Sequence, residues 1–124
     1  MGLTIAAVAT AYHPDERLGA VVASALGACE RVIVVDNTPA GAPSAAAGLT
    51  DERVTVLRSG ENLGLAGGLN AGVAALPADA EAVLFLDQDS LLPEDLVPAL
   101  AALLESDRKI GVAAPTPWDQ RLAT

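Results

Sequence analysis

The chain has 124 residues, a length that fits one domain spanning 1–124 with a core of its own. Hydrophobic residues make up 52% and mean hydropathy is +0.41, which matches a sheet apolar on both faces and also allows apolar surface for pairing with another chain. Net charge is −9, from 16 acidic residues against 7 basic ones with no Lys/Arg cluster, which excludes nucleic acid as a partner and argues against an anionic membrane surface.

The start, Met1 to Tyr12, lacks the basic segment of a secretory signal. No apolar run approaches the roughly 18 residues of a membrane span. Leu3 to Ala9 is a short apolar run and reads as a first strand, broken by His13-Pro14-Asp15. Leu18, Val21, Val22, Ala25 and Leu26 then recur at helical spacing, with Asp15 or Thr10 as the cap and Gly27 as the end. Cys29 is the single cysteine, so no disulfide forms within the chain, and it reads as a small buried hydrophobe. Arg31 to Val35 is a second strand ending at Asp36-Asn37. Thr38 to Gly48, rich in Pro, Ala, Gly and Ser, is a loop with room for one helical turn. Val54 to Leu57 is a third strand and Ser59 to Asn62 a turn. Leu65 to Ala75 is a helix of small residues, and Ala82 to Leu86 a fourth strand ending at Asp87. Pro93 suits the first turn of a last helix running to about Ser106, with Pro98 kinking it or delaying its start. Ile110 to Ala114 is a candidate fifth strand.

Strands alternating with helices predict an α/β domain with a mainly parallel sheet and helices on both faces. Ligands of such sheets bind outside the carboxyl ends of the strands, where the polar residues of this chain fall. The sharpest motif is Leu86-Asp87-Gln88-Asp89-Ser90. If the backbone stays extended, Asp87 and Asp89 point to one side and Gln88 to the other. Two adjacent carboxylates are easier to explain beside a cation, and their hard oxygens suit Mg²⁺ or Mn²⁺. The structural alternative is that Asp89 or Ser90 caps the helix near Pro93. In Glu61 to Gly72 the glycines allow a close ligand, or tight packing of helix on sheet. Asp36 at a strand end could take N–H groups of a base or hydroxyls of a ribose, or open an Asx-turn. An acidic chain holding a phosphorylated ligand also needs a cation, helix N-termini or backbone N–H groups to offset the charge.

Four segments together resemble glycosyltransferase family 2: V-A-T-A-Y-H-P at 8–14, V-I-V-V-D-N-T at 32–38, G-E-N-L-G-L-A-G-G-L-N-A-G at 60–72 and V-L-F-L-D-Q-D-S at 83–90. The D-Q-D-S form with E-N-L-G-L-A before it looks most like the rhamnosyltransferase-type members, which use a dTDP-sugar to build cell-surface polysaccharide. The resemblance implies a GT-A, Rossmann-like fold and a nucleotide-sugar donor, dTDP-rhamnose or a UDP-sugar. It also implies a glycan acceptor, transfer with inversion, and a cytoplasmic location at the inner face of the membrane. Carried over, Thr10, Ala11 and Tyr12 line the base pocket, Asp36 binds the pyrimidine ring and Asn37 supports that loop. Asn62, Gly64 and Asn70 belong to the segment closing over the nucleotide. Asp87 approaches the ribose and diphosphate, and Asp89, with Asp87, holds Mg²⁺ or Mn²⁺.

Members of that family continue for another hundred residues or more, which carry the acceptor contacts and the Asp or Glu general base. This chain therefore reads as the truncated, nucleotide-sugar-binding N-terminal part of such a domain, with Asp119 the only carboxylate after Pro115. Apolar surface left uncovered predicts self-association into a homo-oligomer. Two other readings stand beside this one. A haloacid dehalogenase-type phosphatase would use Asp87 as nucleophile and Asp89 as acid or base. A non-catalytic module would bind a nucleotide or a partner chain.

Overall fold

The computed structural model describes residues 2–116. Its strands are β1 (Ile5–Ala11), β2 (Arg31–Asp36), β3 (Val54–Leu57) and β4 (Ala82–Asp87). Side chains alternate between the two faces of a strand, and the core divides accordingly. On one face Ala7, Ala9 and Ala11 of β1, Val32 and Val34 of β2 and Leu86 of β4 meet Leu18, Val21, Val22 and Ala25 of helix α1 (Arg17–Leu26). On the other, Val8, Ile33 and Val35 meet Leu69 and Ala71 of helix α2 (Gly64–Ala74). Strands buried on both faces account for the high hydropathy.

The sheet is parallel throughout, in the order β3-β2-β1-β4. The chain moves outward from β1 to β3, then crosses by α2 to place β4 on the far side of β1. The reversal leaves a crevice between the carboxyl ends of β1 and β4, the switch point where open α/β sheets bind ligands. This is the α/β, Rossmann-like architecture expected. Among the described residues no helix is long and apolar enough to cross a membrane.

Close packing of α2 depends on Gly72. A Cβ there would overlap Val8 Cγ1 and stand 3.2 Å from Val35 Cγ2. The glycine segment therefore serves packing at this point. Cys29 is buried beside α1 at 4% exposure, as read, and burial pushes its thiol up to about 11.

Several boundaries differ from expectation. β1 ends two residues later than Ala9, because Thr10 and Ala11 still pair with Val35 and Asp36. At the start of α1, Asp15 does not cap by occupying the N-cap, which is Glu16. It takes the Arg17 N–H at 2.9 Å instead, and Thr10 has no part in it. Helix α3 (Leu96–Ser106) begins three residues after Pro93, which places Pro98 in its first turn, where a missing N–H costs nothing. Ile110 to Ala114 is not a strand. It runs beside β4 and lines a cavity with Leu84 and Phe85, but no ladder joins the two. The outer edge of β4 is thus unpaired among the described residues, and Phe85 on it is 49% exposed. Asp119 lies outside the described residues.

Candidate functional site

At the switch point lies a cleft of about 500 Å³, within the range of small-ligand sites. Thr10, Ala11 and Tyr12 line it from the end of β1, Asn37 from the end of β2, and Asp87, Gln88 and Asp89 from the end of β4. Asn62, Gly64 and Leu65 close it from the start of α2. The α2 N-terminus thus offers the positive end of its dipole to the cleft, which offsets part of the charge of an anionic ligand.

Strand alternation explains which side chains arrive there. Val8, Val35 and Val83 face α2, so Thr10, Asn37 and Asp87, each an even number of residues further on, share that side. Register completes the grouping, since Thr10 pairs directly with Asp87. Gly68 lets α2 come down over these ends. A Cβ at that position would lie 3.1 Å from Asn37 Nδ2 and 3.3 Å from Thr10 Cγ2.

Asn37 spends its side chain on the loop that starts α2. Its Nδ2 donates to the Gly64 carbonyl at 3.1 Å, and its Oδ1 accepts the Leu63 N–H at 3.2 Å. Asn62 Oδ1 accepts the Gly64 N–H at 2.9 Å, and Gly64 sits at φ +75°, a conformation that favours glycine. Thr38 Oγ1 accepts the His13 N–H at 2.9 Å, which fixes the turn that presents Tyr12. The Tyr12 and His13 rings meet edge to face at 4.3 Å.

Asp36 is not brought to the cleft. Alternation puts it on the α1 side with Val32 and Val34, where it is 1% exposed beneath the loop that follows β2. Its Oδ1 accepts the Thr38 N–H at 3.0 Å, while Oδ2 has no hydrogen-bond partner and lies 3.9 Å from Arg58 Nε. Burial pushes this carboxyl up, but the Ser44 and Thr38 hydroxyls, the Thr38 N–H and Arg58 outweigh it and hold it below the usual range. Arg58 also donates to the carbonyls of Thr38, Pro39 and Ala42 and so clamps the loop. Asp36, expected at the pyrimidine ring, thus faces Thr38 and Arg58 and is not among the residues lining the cleft. Asn70 is likewise exposed on α2, outside the cleft lining.

Asp87 and Asp89 line the same cleft although the chain does not stay extended between them. It turns at Gln88-Asp89, and the Ser90 N–H reaches back to the Asp87 carbonyl at 3.3 Å. Gln88 consequently does not point away. It lines the cleft, and its Oε1 accepts the Tyr12 N–H at 2.6 Å. Helix capping does not explain Asp89 or Ser90, since α3 starts at Leu96 with Asp95 at its N-cap and no side-chain cap bond. Both carboxylates are exposed, and neither has a hydrogen bond or ion pair among the described residues. Arg17 feels the charge of Asp89, but its guanidinium is committed to Asp15, at 2.9 Å from Nη2.

This donor set fits a hard divalent cation. Two carboxylates face one open space, and Mg²⁺ is commonly held by one or two carboxylates with substrate phosphates completing its shell. No group of three or more candidate metal ligands occurs among the described residues, so an ion here would depend on its ligand for further oxygens.

Gln88, Leu65 and Arg58 were not marked in the sequence as parts of the site. Arg58 had no signal at all, because its partners lie 16 to 20 residues away in a loop.

The model of the family described as glycosyl transferase family 2 matches residues 7–121. No curated protein matches the chain.

Proposed function

The chain belongs to glycosyl transferase family 2, and from that premise we propose that the cleft between β1 and β4 binds the donor nucleotide diphosphate with a divalent cation at Asp87 and Asp89. Family membership implies a glycosyltransferase role with a nucleotide-sugar donor and a glycan acceptor. The finer reading rests on one observation. Two carboxylates without a partner among the described residues line one cleft with Thr10 and Tyr12 and the start of α2, and Asp87 lies directly across from Thr10.

In this reading Tyr12, half exposed and held at its N–H, presents its ring to the pyrimidine together with Thr10 and Ala11. Asn37, Asn62 and Gly64 hold the loop that closes over the nucleotide. Asp36 acts through that same region by fixing Thr38. Asp87 lies nearest the ribose and diphosphate, and Asp89 is the main metal ligand. When bound, Mg²⁺ or Mn²⁺ neutralises the departing diphosphate. In transfer with inversion an acceptor hydroxyl would attack the anomeric carbon from the face opposite the diphosphate, whose bond to that carbon breaks as the new one forms, with the hydroxyl proton passing to a general base outside this cleft. The E-N-L-G-L-A and D-Q-D-S segments support dTDP-rhamnose as donor, with a UDP-sugar the second choice.

The phosphatase reading loses its ground. Among the described residues the aspartate strand is the last of four and lies at the edge of the sheet, and the chain matches a different family.

Calorimetric titration of dTDP and UDP, with Mn²⁺ and with a chelator, tests the proposal. Binding that requires metal, and that weakens by at least about tenfold in Asp89→Ala, is expected, tenfold being about 1.4 kcal/mol. Metal-independent binding, or an Asp89→Ala variant equal to wild type, would sink it.

A further inference from the structure

Gln88 stands between the two carboxylates, half-buried, and lines the cleft with them. Its neighbour across the switch point is the backbone of Tyr12, whose N–H it accepts at 2.6 Å. A backbone N–H can only donate, so the amide oxygen must face Tyr12 and the amide nitrogen must face elsewhere. That nitrogen can only donate. It has no partner among the described residues, although the sequence places a carboxylate on either side of it. The position thus demands an acceptor for Tyr12 without a third negative charge in a cleft that already holds two. An amide satisfies both demands, and Glu, of the same shape, satisfies only the first.

We propose that Gln88 is a two-sided residue of the donor site: its oxygen positions Tyr12 against the base, and its nitrogen donates to a phosphate oxygen of the nucleoside diphosphate. The inference rests on the function proposed above and deepens it. The residue couples the base-reading end of β1 to the carboxylate turn of β4. A ligand that seats its diphosphate therefore also tightens the Tyr12 turn.

Two variants separate the halves of the role. Gln88→Glu keeps the acceptor, loses the donor and adds charge. Gln88→Met keeps the length and loses both. The probes are uridine and UDP, each titrated in the presence of Mn²⁺ and followed by NMR, with melting temperature as the check on folding. Gln88→Glu is expected to leave uridine affinity within roughly twofold of wild type and to weaken UDP by roughly tenfold or more. Gln88→Met is expected to weaken both ligands, uridine by roughly fivefold. Should Gln88→Met not fold, Gln88→Glu, which preserves the Tyr12 bond, carries the test alone. Equal or tighter UDP binding by Gln88→Glu would overturn the inference while the donor-site reading survived. Failure of the wild type to bind either UDP or dTDP with Mn²⁺ would overturn both. A uniform loss of both ligands in Gln88→Glu would show a merely structural residue and would also overturn it.

Discussion

Replacing Gly72 by Ala tests whether α2 is seated on the sheet as described. Added to an exposed helix interior, the same methyl group stabilises by about 1 kcal/mol through helix propensity. At Gly72 it meets Val8, which is fully buried and β-branched, with Cγ1 overlapped and Cγ2 at 3.1 Å, and Val35 Cγ2 at 3.2 Å. Val8 lies in the middle of β1 between two paired neighbours, so neither its rotamer nor its backbone yields easily. Overpacking of this kind costs about 1–3 kcal/mol, and several contacts on one rigid side chain put Gly72 toward the upper end. After the propensity gain, a net loss of about 1–2 kcal/mol remains, or about 4–8 °C in melting temperature for a domain of this size. Gly19 is the control. It lies in α1, exposed, with nothing within 4 Å of its added Cβ, so Gly19→Ala should raise stability by about 0.5–1 kcal/mol. Thermal unfolding by circular dichroism gives both values. A Gly72→Ala protein as stable as wild type, or both variants shifting the same way, would refute the packing of α2 on Val8.

Gly68→Ala should push Asn37 and Thr10 and weaken nucleotide binding by roughly tenfold, with a smaller loss of stability than Gly72→Ala; titration with UDP and Mn²⁺ measures it. Asp36→Asn should cost about 2 kcal/mol at neutral pH, because Arg58 and the Thr38 N–H face a buried charge in the wild type. The folded carboxyl is held below its unfolded value near 3.9, so its stabilisation is present above that value and is lost as pH falls through the folded one. Urea unfolding at pH 7 and pH 3 should therefore show the gap between wild type and variant narrowing in acid; a constant gap would contradict it. Cys29, with its thiol pushed up to about 11, should resist iodoacetamide at pH 8 until the protein is unfolded, and mass spectrometry reads the labelling.

Much of the architecture was legible because the strands announce themselves locally. Val54 to Leu57 carries β-branched residues between turn signals, and β3 occupies those residues. Ala82 to Leu86 likewise becomes β4 with one residue added. Ile110 to Ala114 shows the limit, since a strand needs a ladder partner and composition cannot supply one. The site was legible as a set of strand ends. Its internal assignments were less so. Period-2 alternation, already visible in R-V-I-V-V-D-N, separates Asp36 from Asn37 once the α2 face is known, but sequence alone does not say which face carries the ligand. The turn after Asp87 reversed the expected direction of Gln88, and the bond from Gln88 to Tyr12 spans 76 residues, beyond any local pattern.

The most direct measurement is Mn²⁺ binding followed by electron paramagnetic resonance, with and without UDP or dTDP. Two carboxylates alone make a weak site, and a diphosphate beside them adds the missing oxygens, so each ligand should tighten the other by the same factor. The account predicts weak Mn²⁺ binding to the protein alone, a strong increase on adding UDP or dTDP, and loss of that increase in the Asp87→Asn, Asp89→Asn double variant. Mn²⁺ affinity indifferent to both UDP and dTDP, or an increase that persists in the double variant, would contradict it.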